Sequence, residues 1–446
     1  MASRGILTAA TECGLHIMSE LGAGASGSVY AAADAAADAA ADAAADAAAD
    51  AAADAAADAA DAPMAIKVID LRDLDTEDYR RVLRELRLVA QLRHPNVVDF
   101  RGAILDAEIR SVGLVFERWD STLGRVLRSR QQLTVSHARY FMFQTLTALR
   151  YLHGAGVVHC DLKPDNILVN SSCAIALADF GLARCGAPPF GYDVVQTSWY
   201  RAPEVVLGGA FGPAIDMWSA GCVFAELLRA VEASAAPLAR PRNFALFPVE
   251  DEAPQQLAAF VAVVGPPPDS CLRAIAGDVP GAFDVLTESI RTAIKAYPRT
   301  PRCSRRTPLA LQFIDAPPLA LDLLMRIMKF DPEGRLTAAA ALDHPFFDGM
   351  AAAAAAALPA ALPAAALPAA ATLPTAALPS AALPAAALPS TADIDSLPSE
   401  EKALRTKLRD MVQPDLRWPY GGAPLSSPRP SNTVVPASIA QSGSAP

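Results

Sequence analysis

The stretch VVHCDLKPDN, residues 157–166, decides how the rest of this 446-residue chain is read. It sets His159, Asp161, Lys163 and Asn166 within eight positions, a density of polar side chains that packing alone does not call for. Cys160 stands between the histidine and the aspartate, where a charged side chain would be expected to help. Further motifs lie on both sides of it. LHIMSELGAGASGSVY, residues 15–30, reads as strand, glycine-rich turn and strand, since apolar residues flank three glycines that permit a tight loop. A bare GxGxxG is weak by itself; here the next residues, VYAAA, continue as strand, which favours a hairpin over phosphates rather than a dinucleotide fold. PMAIKVID, residues 63–70, restores an apolar strand with Lys67 in its middle, a position usually on a solvated face. TEDYRRVLRELRLVAQLRHPNVV then carries Val82, Leu83, Leu86, Val89, Ala90 and Leu92 at near-helical spacing, so Glu85 rides a helix that ends before Pro95. Strands are expected at 97–105 and 111–117, and from about residue 121 the pattern turns mainly helical. A strand-rich part followed by a helix-rich part implies an α+β protein of two lobes, and clefts at such joints are where ligands usually bind.

Low-complexity segments must be set aside first. Residues 31–62 are alanine with Asp34, Asp38, Asp42, Asp46, Asp50, Asp54, Asp58 and Asp61, and residues 351–389 are alanine and leucine broken by seven prolines. Removing the eight insert aspartates from a formal net charge of −10 leaves a nearly neutral body, which gives no footprint for nucleic acid. A proline every four to six residues rules out a membrane helix in the second tract. Aspartates at every fourth position stack like charges along one helix face, so the first tract is expected to be a solvated insertion in a hairpin loop. MASRGILTAATECG, residues 1–14, lacks the apolar run of a secretory signal and reads as an extension, with an organelle transit peptide left open. Seven cysteines, odd in number and without metal-ligand spacing, read as reduced thiols of an intracellular protein, cytoplasmic or nuclear. In the tail, residues 390–446, SEEKALRTKLRDMV is a short helical candidate with Leu404, Leu408 and Met411 on one face. Lys295, Arg299, Arg302, Arg305 and Arg306 form a basic cluster that reads first as solvated surface and second as a dock for acidic segments.

Phosphoryl transfer from a nucleotide needs a glycine loop over the phosphates, a lysine to hold them, carboxylate and amide ligands for magnesium, and an aspartate near the attacking hydroxyl. Each is present in order: Gly22, Gly24 and Gly27; Lys67 in AIK; Glu85 on the next helix, able to pair with Lys67; His159 to Asn166; Asp179-Phe180-Gly181; and Ala202-Pro203-Glu204. Six ordered matches reverse the bland reading that any one of them would have alone. Over roughly residues 15–348 the chain resembles a eukaryotic protein kinase, with a β-rich N-lobe at 15–118 and a helical C-lobe at 119–348. WYRAPEVVLGG with DMWSAGCVFAELL, and LFPVEDEAPQQLAAFVAVVGPPP, are similar to the branch of cyclin-dependent, MAP and dual-specificity tyrosine-regulated kinases, the CMGC group. The resemblance implies ATP and Mg2+ as cofactors. It implies that Asp161 accepts the substrate proton, that Lys163 steadies the transferred group, that Asn166 and Asp179 ligate magnesium, and that Lys67 holds the α and β phosphates. Gly22, Ala23, Gly24, Ala25, Ser26 and Gly27 would form the phosphate loop; Leu21, Val29, Ala65 and Leu168 would sandwich the adenine; Phe116 would line the back of the pocket, with Glu117 to Trp119 as hinge. Lys163 two places after the aspartate resembles serine/threonine kinases, and Arg335 matches the structural partner of Glu204. His159 would brace the loop and move no proton.

The departures are informative. Cys160 replaces the arginine that in most relatives pairs with an activation-segment phosphate, and the HCD spelling is similar to that of dual-specificity tyrosine-regulated kinases. CGAPPFGYDVVQTSWY has neither the Thr-x-Tyr pair of MAP kinases nor the threonine of cyclin-dependent kinases; its hydroxyls are Tyr192, Thr197 and Ser198. Activity is therefore expected to depend little on phosphorylation there, with Asp193 offering fixed charge to Arg84 or Arg184. Thr197 resembles the residue that contacts the catalytic aspartate and lysine. Ala25-Ser26 stands where cell-cycle members carry an inhibitory Thr-Tyr pair, and YRRVLRE keeps only the Arg-Glu ending of the cyclin-contact helix. A cyclin or another activating partner is left open. Arg201 resembles the arginine that favours proline after the phosphorylated residue, so the expected partners are protein substrates with Ser/Thr-Pro sites, with no nucleic acid and no membrane. The rival reading is a pseudokinase scaffold that binds partners; a small-molecule kinase fits the APE segment poorly.

Overall fold

The apolar strand MAIKVID, residues 64–70, sits in the middle of the first sheet, and the elements around it follow from what that strand must bury. The computed structural model describes residues 2–24, 27–34, 64–72, 74–106, 110–129, 131–186, 188–190, 196–235, 241, 243–249, 252–277, 280–296, 308–350, 406 and 408. Ala25, Ser26, most of the alanine-aspartate insert, Tyr192, Asp193, the alanine-leucine-proline tract, Arg299, Arg302, Arg305, Arg306 and nearly all of the tail lie outside these, with the readings made on them. The chain divides into two compact units, one built on Met1–Asp120 and the other on residues from Ser121.

The first unit contains α1 (Ala2–Glu12), β1 (Leu15–Gly24), β2 (Gly27–Asp34), β3 (Met64–Asp70), α2 (Thr76–Gln91), β4 (Phe100–Leu105) and β5 (Ser111–Glu117). The strands form one antiparallel sheet in the order β1-β2-β3-β5-β4. The alanine-aspartate repeat begins inside it: Ala31 and Ala32 pair with Ala65 and Met64 and are almost fully buried. Pairing with neighbours on both sides forces these alanines to be strand although alanine favours helix. Helix α1 was not legible as an element. It lays Ile6, Ala10 and the following Cys13 onto a cluster of Leu15, Ala32, Met64, Ile66, Val68, Ile104 and Val115. Glycine at 113 permits this close approach, since a Cβ there would lie 3.3 Å from Ile6 Cγ1 and 3.1 Å from Ile66 Cγ2. Helix α2 starts where the Asp75 carboxylate caps the Asp78 N–H at 2.8 Å, with Glu77 and Asp78 in its first turn. Its buried face is Tyr79, Val82, Leu83, Leu86 and Val89, and Tyr79 donates to the Leu71 carbonyl just past β3.

The second unit runs through β6 (Ser121–Thr122), α3 (Leu123–Arg128), α4 (Val135–Gly154), β7 (Val157–Val158), β8 (Ile167–Val169), β9 (Ile175–Leu177), β10 (Arg184–Cys185), α5 (Pro203–Val206) and α6 (Ala214–Ala235). It continues with α7 (Ala253–Val264), α8 (Asp269–Ala276), α9 (Ala282–Ala296), α10 (Pro308–Gln312), α11 (Pro318–Ile327) and α12 (Ala338–Leu342). The two long helices α4 and α6 pack together, and α6 is buried continuously from residue 215 to 228, as befits a helix that is apolar all round. Gly221 lets α11 cross it closely: a Cβ there would lie 2.3 Å from Met328 Sδ. Phe346 and Phe347, from the closing HPFF, pack on Phe224 of α6 and Phe143 of α4. Arg335 makes the expected pair with Glu204, two hydrogen bonds of 2.6 Å between fully buried groups, and lies over the Trp218 ring. Lys295 is exposed on α9. Of the expected tail helix, Thr406 and Leu408 are described, both helical and Leu408 wholly buried.

Candidate active site

The catalytic-loop residues hang between β7 and β8, and the ledge that holds them is the start of α6. Asp216, wholly buried, accepts the backbone N–H of His159 at 2.8 Å and of Cys160 at 2.9 Å, and its Oδ2 lies 2.9 Å from His153 Nε2. Cys160 takes a left-handed φ of 64° with its thiol buried near the Val158 carbonyl, so this position puts no charge where the question arose. His159 Nδ1 accepts the Asp161 N–H, which fixes Nε2 as the protonated nitrogen and sets it to donate to the Ala178 carbonyl at 3.1 Å. With both ring nitrogens engaged, His159 braces the loop.

Both oxygens of Asp161 are gripped. Oδ1 accepts from the Thr197 hydroxyl at 2.7 Å and the Thr197 N–H at 3.1 Å; Oδ2 accepts from Lys163 Nζ at 2.7 Å and Asn166 Nδ2 at 2.9 Å. Lys163 also donates to the Thr197 hydroxyl at 2.9 Å. The second Asn166 amide hydrogen goes to the Asp161 carbonyl, so the amide presents its oxygen as the remaining functional atom. Strands β8 and β9 pair Ile167 with Leu177, and Ala178 N–H bonds the Asn166 carbonyl, which brings Asn166 and the Asp179 turn to the same end of the hairpin. Asp179 has φ 64°, and the next ring, Phe180, is buried against His159 with centroids 5.0 Å apart. Leu168 is half-buried on β8. One amide oxygen and one carboxylate are hard donors of the kind magnesium takes when phosphates supply the other ligands. Among the described residues no group of three or more His, Cys, Asp or Glu forms a closed cage.

In the first unit Lys67 is buried rather than on a solvated face, because Glu85 meets it there: Nζ lies 2.7 Å and 2.9 Å from the two carboxylate oxygens. The glycine hairpin pairs Gly22 with Val29, Ala23 with Ser28 and Gly24 with Gly27. Gly27 has φ 121°, and a Cβ there would fall 2.3 Å from the Val68 carbonyl oxygen. Leu21 and Val29 are half-buried, with Val29 opposite Lys67 and Ala65 opposite Phe116. Phe116 packs edge-on against Phe100, Glu117 N–H bonds the Asp99 carbonyl, and Trp119 is half-buried just beyond β5.

A protein kinase domain model matches residues 51–347. A mitogen-activated protein kinase homolog from Nicotiana tabacum, NTF6, is 38% identical over 288 residues, covering 64% of this chain and 70% of its own. Mitogen-activated protein kinase 7 of Arabidopsis thaliana is 39% identical over 293 residues, covering 64% and 72%, and mitogen-activated protein kinase 3 of Oryza sativa subsp. japonica 40% over 275 residues, covering 60% and 67%. The chain belongs to the protein kinase family. It is a serine/threonine kinase of the CMGC group.

Two features of the kinase's activation segment escaped sequence reasoning. Gln196 has a left-handed φ of 71°, and its carbonyl accepts from Arg201 Nη2 at 3.1 Å. The only signal was its place five residues before that arginine. Tyr200 is buried beside Glu226 of α6; burial first, and the neighbouring carboxylate second, raise its phenol far above the ordinary range. Burial likewise pushes the Glu226 carboxyl up to about 7, against the lowering effect of the Tyr200 hydrogen bond and Arg229. Asp216 went unassigned because an acid at the start of a helix reads as a dipole partner.

Proposed function

We propose that this kinase transfers the γ-phosphoryl group of ATP to protein serine or threonine residues followed by proline. The observation that carries the transfer is the closed set on Asp161: a carboxylate held by three side chains and a backbone N–H has one orientation available to accept the proton of an attacking hydroxyl. Lys163 stands beside that base as the cation for the moving group, and Lys67, fixed by Glu85, is the cation for the α and β phosphates. The Asn166 amide oxygen and the Asp179 carboxylate would hold Mg2+, which when bound offsets phosphate charge. Gly22 to Gly27 would cover the phosphates; Leu21, Val29, Ala65, Leu168, Phe116 and Glu117 to Trp119 would hold the adenine. A scaffold without catalysis has no need of these paired groups.

Proline selection is supported by Gln196 and Arg201. A substrate residue that follows the phosphoacceptor normally brings an N–H, and the Gln196 carbonyl is turned to Arg201 instead of toward it. A buried donor left unpaired costs about 1–3 kcal/mol, whereas proline brings none. Lys67 and Glu85 pair within the chain itself, which supports activity without a cyclin-type partner. No disulfide joins the six described cysteines, in keeping with an intracellular setting, and no helix among the described residues is long and apolar enough to cross a membrane.

The test is magnesium-dependent transfer of labelled phosphate from ATP to a generic basic protein. Wild type should label it, and Asp161→Asn and Lys67→Met should lose about 100-fold or more. Equal labelling by wild type and Asp161→Asn refutes the assignment. Co-purification of a cyclin with tagged protein, needed to restore activity, refutes partner independence.

A further inference from the structure

The loop that carries Asp161 is also gripped from α3, by groups that the chemistry above does not use. Between Lys163 and Ile167 the chain makes a single 3-10 turn, Pro164–Asn166. Asn166 faces Asp161, whose carbonyl and carboxylate take its two amide hydrogens. Its neighbour Asp165 faces α3. Arg128, in the last turn of that helix, donates Nη2 to Asp165 Oδ1 at 2.7 Å and Nη1 to Oδ2 at 3.4 Å. One turn earlier the carboxylate lies against bare backbone: a Cβ at Gly124 would fall 2.2 Å from Asp165 Oδ1 and 2.7 Å from its Cγ. Gly124 and Arg128 are four residues apart and share one helix face, so seat and cation form one clasp. The helix that bears them is itself fixed. Thr122 Oγ1 caps the Arg125 N–H at 3.2 Å, Leu123 and Leu127 are buried, and β6 just before it pairs with β8, the strand that follows Asn166. A glycine inside a helix is unfavourable by itself, and the seat for Asp165 gives it a reason.

We propose that Gly124 and Arg128 are positioning residues for phosphoryl transfer: together they clasp Asp165, fix the Pro164–Asn166 turn, and through it hold the Asn166 amide against Asp161. The proposal rests on the reading of Asp161 as the base. The two side chains of the ion pair are 61% and 51% exposed, so as an electrostatic contact the pair adds little to stability. Its effect is on where the turn sits. Asp165 and Asn166 are consecutive in a tight turn, so a carboxylate pushed off its seat moves the peptide that carries the amide. Opening the clasp therefore slows the reaction without unfolding the chain, and it does so whether the cation or the seat is removed.

The experiment measures kcat, KM for ATP and thermal midpoint in the full chain for Gly124→Ala, Arg128→Met, Arg128→Lys, Asp165→Ala and the pair Gly124→Ala with Asp165→Ala. Alanine suits a helix better than glycine, so Gly124→Ala should keep or raise the midpoint. Its kcat should nonetheless fall about tenfold, because Asp165 must leave its seat. Arg128→Met should lose about three- to tenfold in kcat, and Arg128→Lys, which keeps one donor for the carboxylate, should lie between Met and wild type. KM for ATP should stay within about twofold throughout. In Asp165→Ala there is no carboxylate to displace, so adding Gly124→Ala should slow it by less than about twofold. A wild-type kcat in Gly124→Ala overturns the inference, even beside a slow Arg128→Met, since the effect would then follow charge and not position. Equal slowing by Gly124→Ala with and without Asp165, a Lys variant no faster than Met, or a loss of kcat that tracks a lowered midpoint overturns it as well. Transfer by Asp161→Asn at the wild-type rate instead overturns the reading of Asp161 itself.

Discussion

Thr197→Val removes a hydroxyl from the middle of the Asp161 set and leaves its shape almost intact. The hydroxyl donates to Asp161 Oδ1 at 2.7 Å and accepts from Lys163 at 2.9 Å, while the Thr197 N–H to Oδ1 and both bonds to Oδ2 survive the change. A hydrogen bond to a charged group contributes about 1.5–3 kcal/mol; Lys163 is a quarter exposed and keeps a second partner, so the low end, about 1.5–2 kcal/mol, applies. At 1.36 kcal/mol per tenfold that is a fall of about 10–30-fold in kcat. Lys67 and Glu85, proposed above to hold the nucleotide, are not touched, so KM for ATP should move less than about threefold. Thr197→Ser, which keeps the hydroxyl, should return to within about threefold of wild type. Steady-state kinetics with saturating peptide, beside thermal midpoints to certify folding, measures this. A Val variant within twofold of wild type, or a Ser variant as slow as Val, refutes the reasoning, the second because it would assign the effect to methyl packing.

Glu226→Gln tests the buried carboxyl of α6. With a folded value of about 7 against an unfolded 4.5, the native state holds a proton that the unfolded chain has released, so wild-type stability falls as pH rises through that window, by up to about 3 kcal/mol. Urea melts at pH 5 and pH 8 should show the Gln variant gaining on wild type at pH 8, and a pH-independent difference refutes it. Arg335→Met strands the buried Glu204 carboxylate and should cost about 3–5 kcal/mol, read as a drop in thermal midpoint, with Glu204→Leu added recovering part of it. Gly113→Ala should cost about 1–3 kcal/mol by crowding Ile6 and Ile66, and Ile6→Ala in the same chain should shrink that penalty; strict additivity would show that α1 does not rest there.

The site was legible wherever chemistry and spacing coincide. Asp161, Lys163 and Asn166 are close in sequence, and the loop that carries them leaves little choice of geometry. Lys67 and Glu85 are 18 residues apart, but a strand followed by a helix limits where the two can meet, and the ion pair explains why a strand lysine is buried. Arg335 and Glu204 are 131 residues apart and were legible only through the family resemblance. What was not legible depends on tertiary burial. Ile6 and Ala10 make a weak stripe in a stretch of small residues, and only the waiting sheet turns it into a docked helix. VYAAA was legible as strand, but the burial of Ala31 and Ala32 was hidden, because they also open a repeat that reads as a solvated insertion and only the two flanking strands cover them. The left-handed turn at Gln196 has no composition cue, because a glycine would be the usual mark of such a backbone.

Helix α6 supplies what a cation at position 160 would otherwise provide. Asp216 holds the backbone of His159 and Cys160, and Ile215 with Ser219 holds the side chain of Gln196, the residue immediately before Thr197. Residues 215, 216 and 219 lie within about one helical turn, a rise of about 5.4 Å, so the loop bearing Asp161 and the loop bearing Gln196 and Thr197 are fixed to one rigid ledge. Thr197 then reaches Asp161 and Lys163 across a short, anchored span. Ordering the segment through amides, hydroxyls and backbone donors makes no use of a cation at position 160, and the thiol there is buried. The chemistry at residues 157–166 is thus supported from a helix nearly 60 residues further on, by groups that carry no charge apart from Asp216 itself.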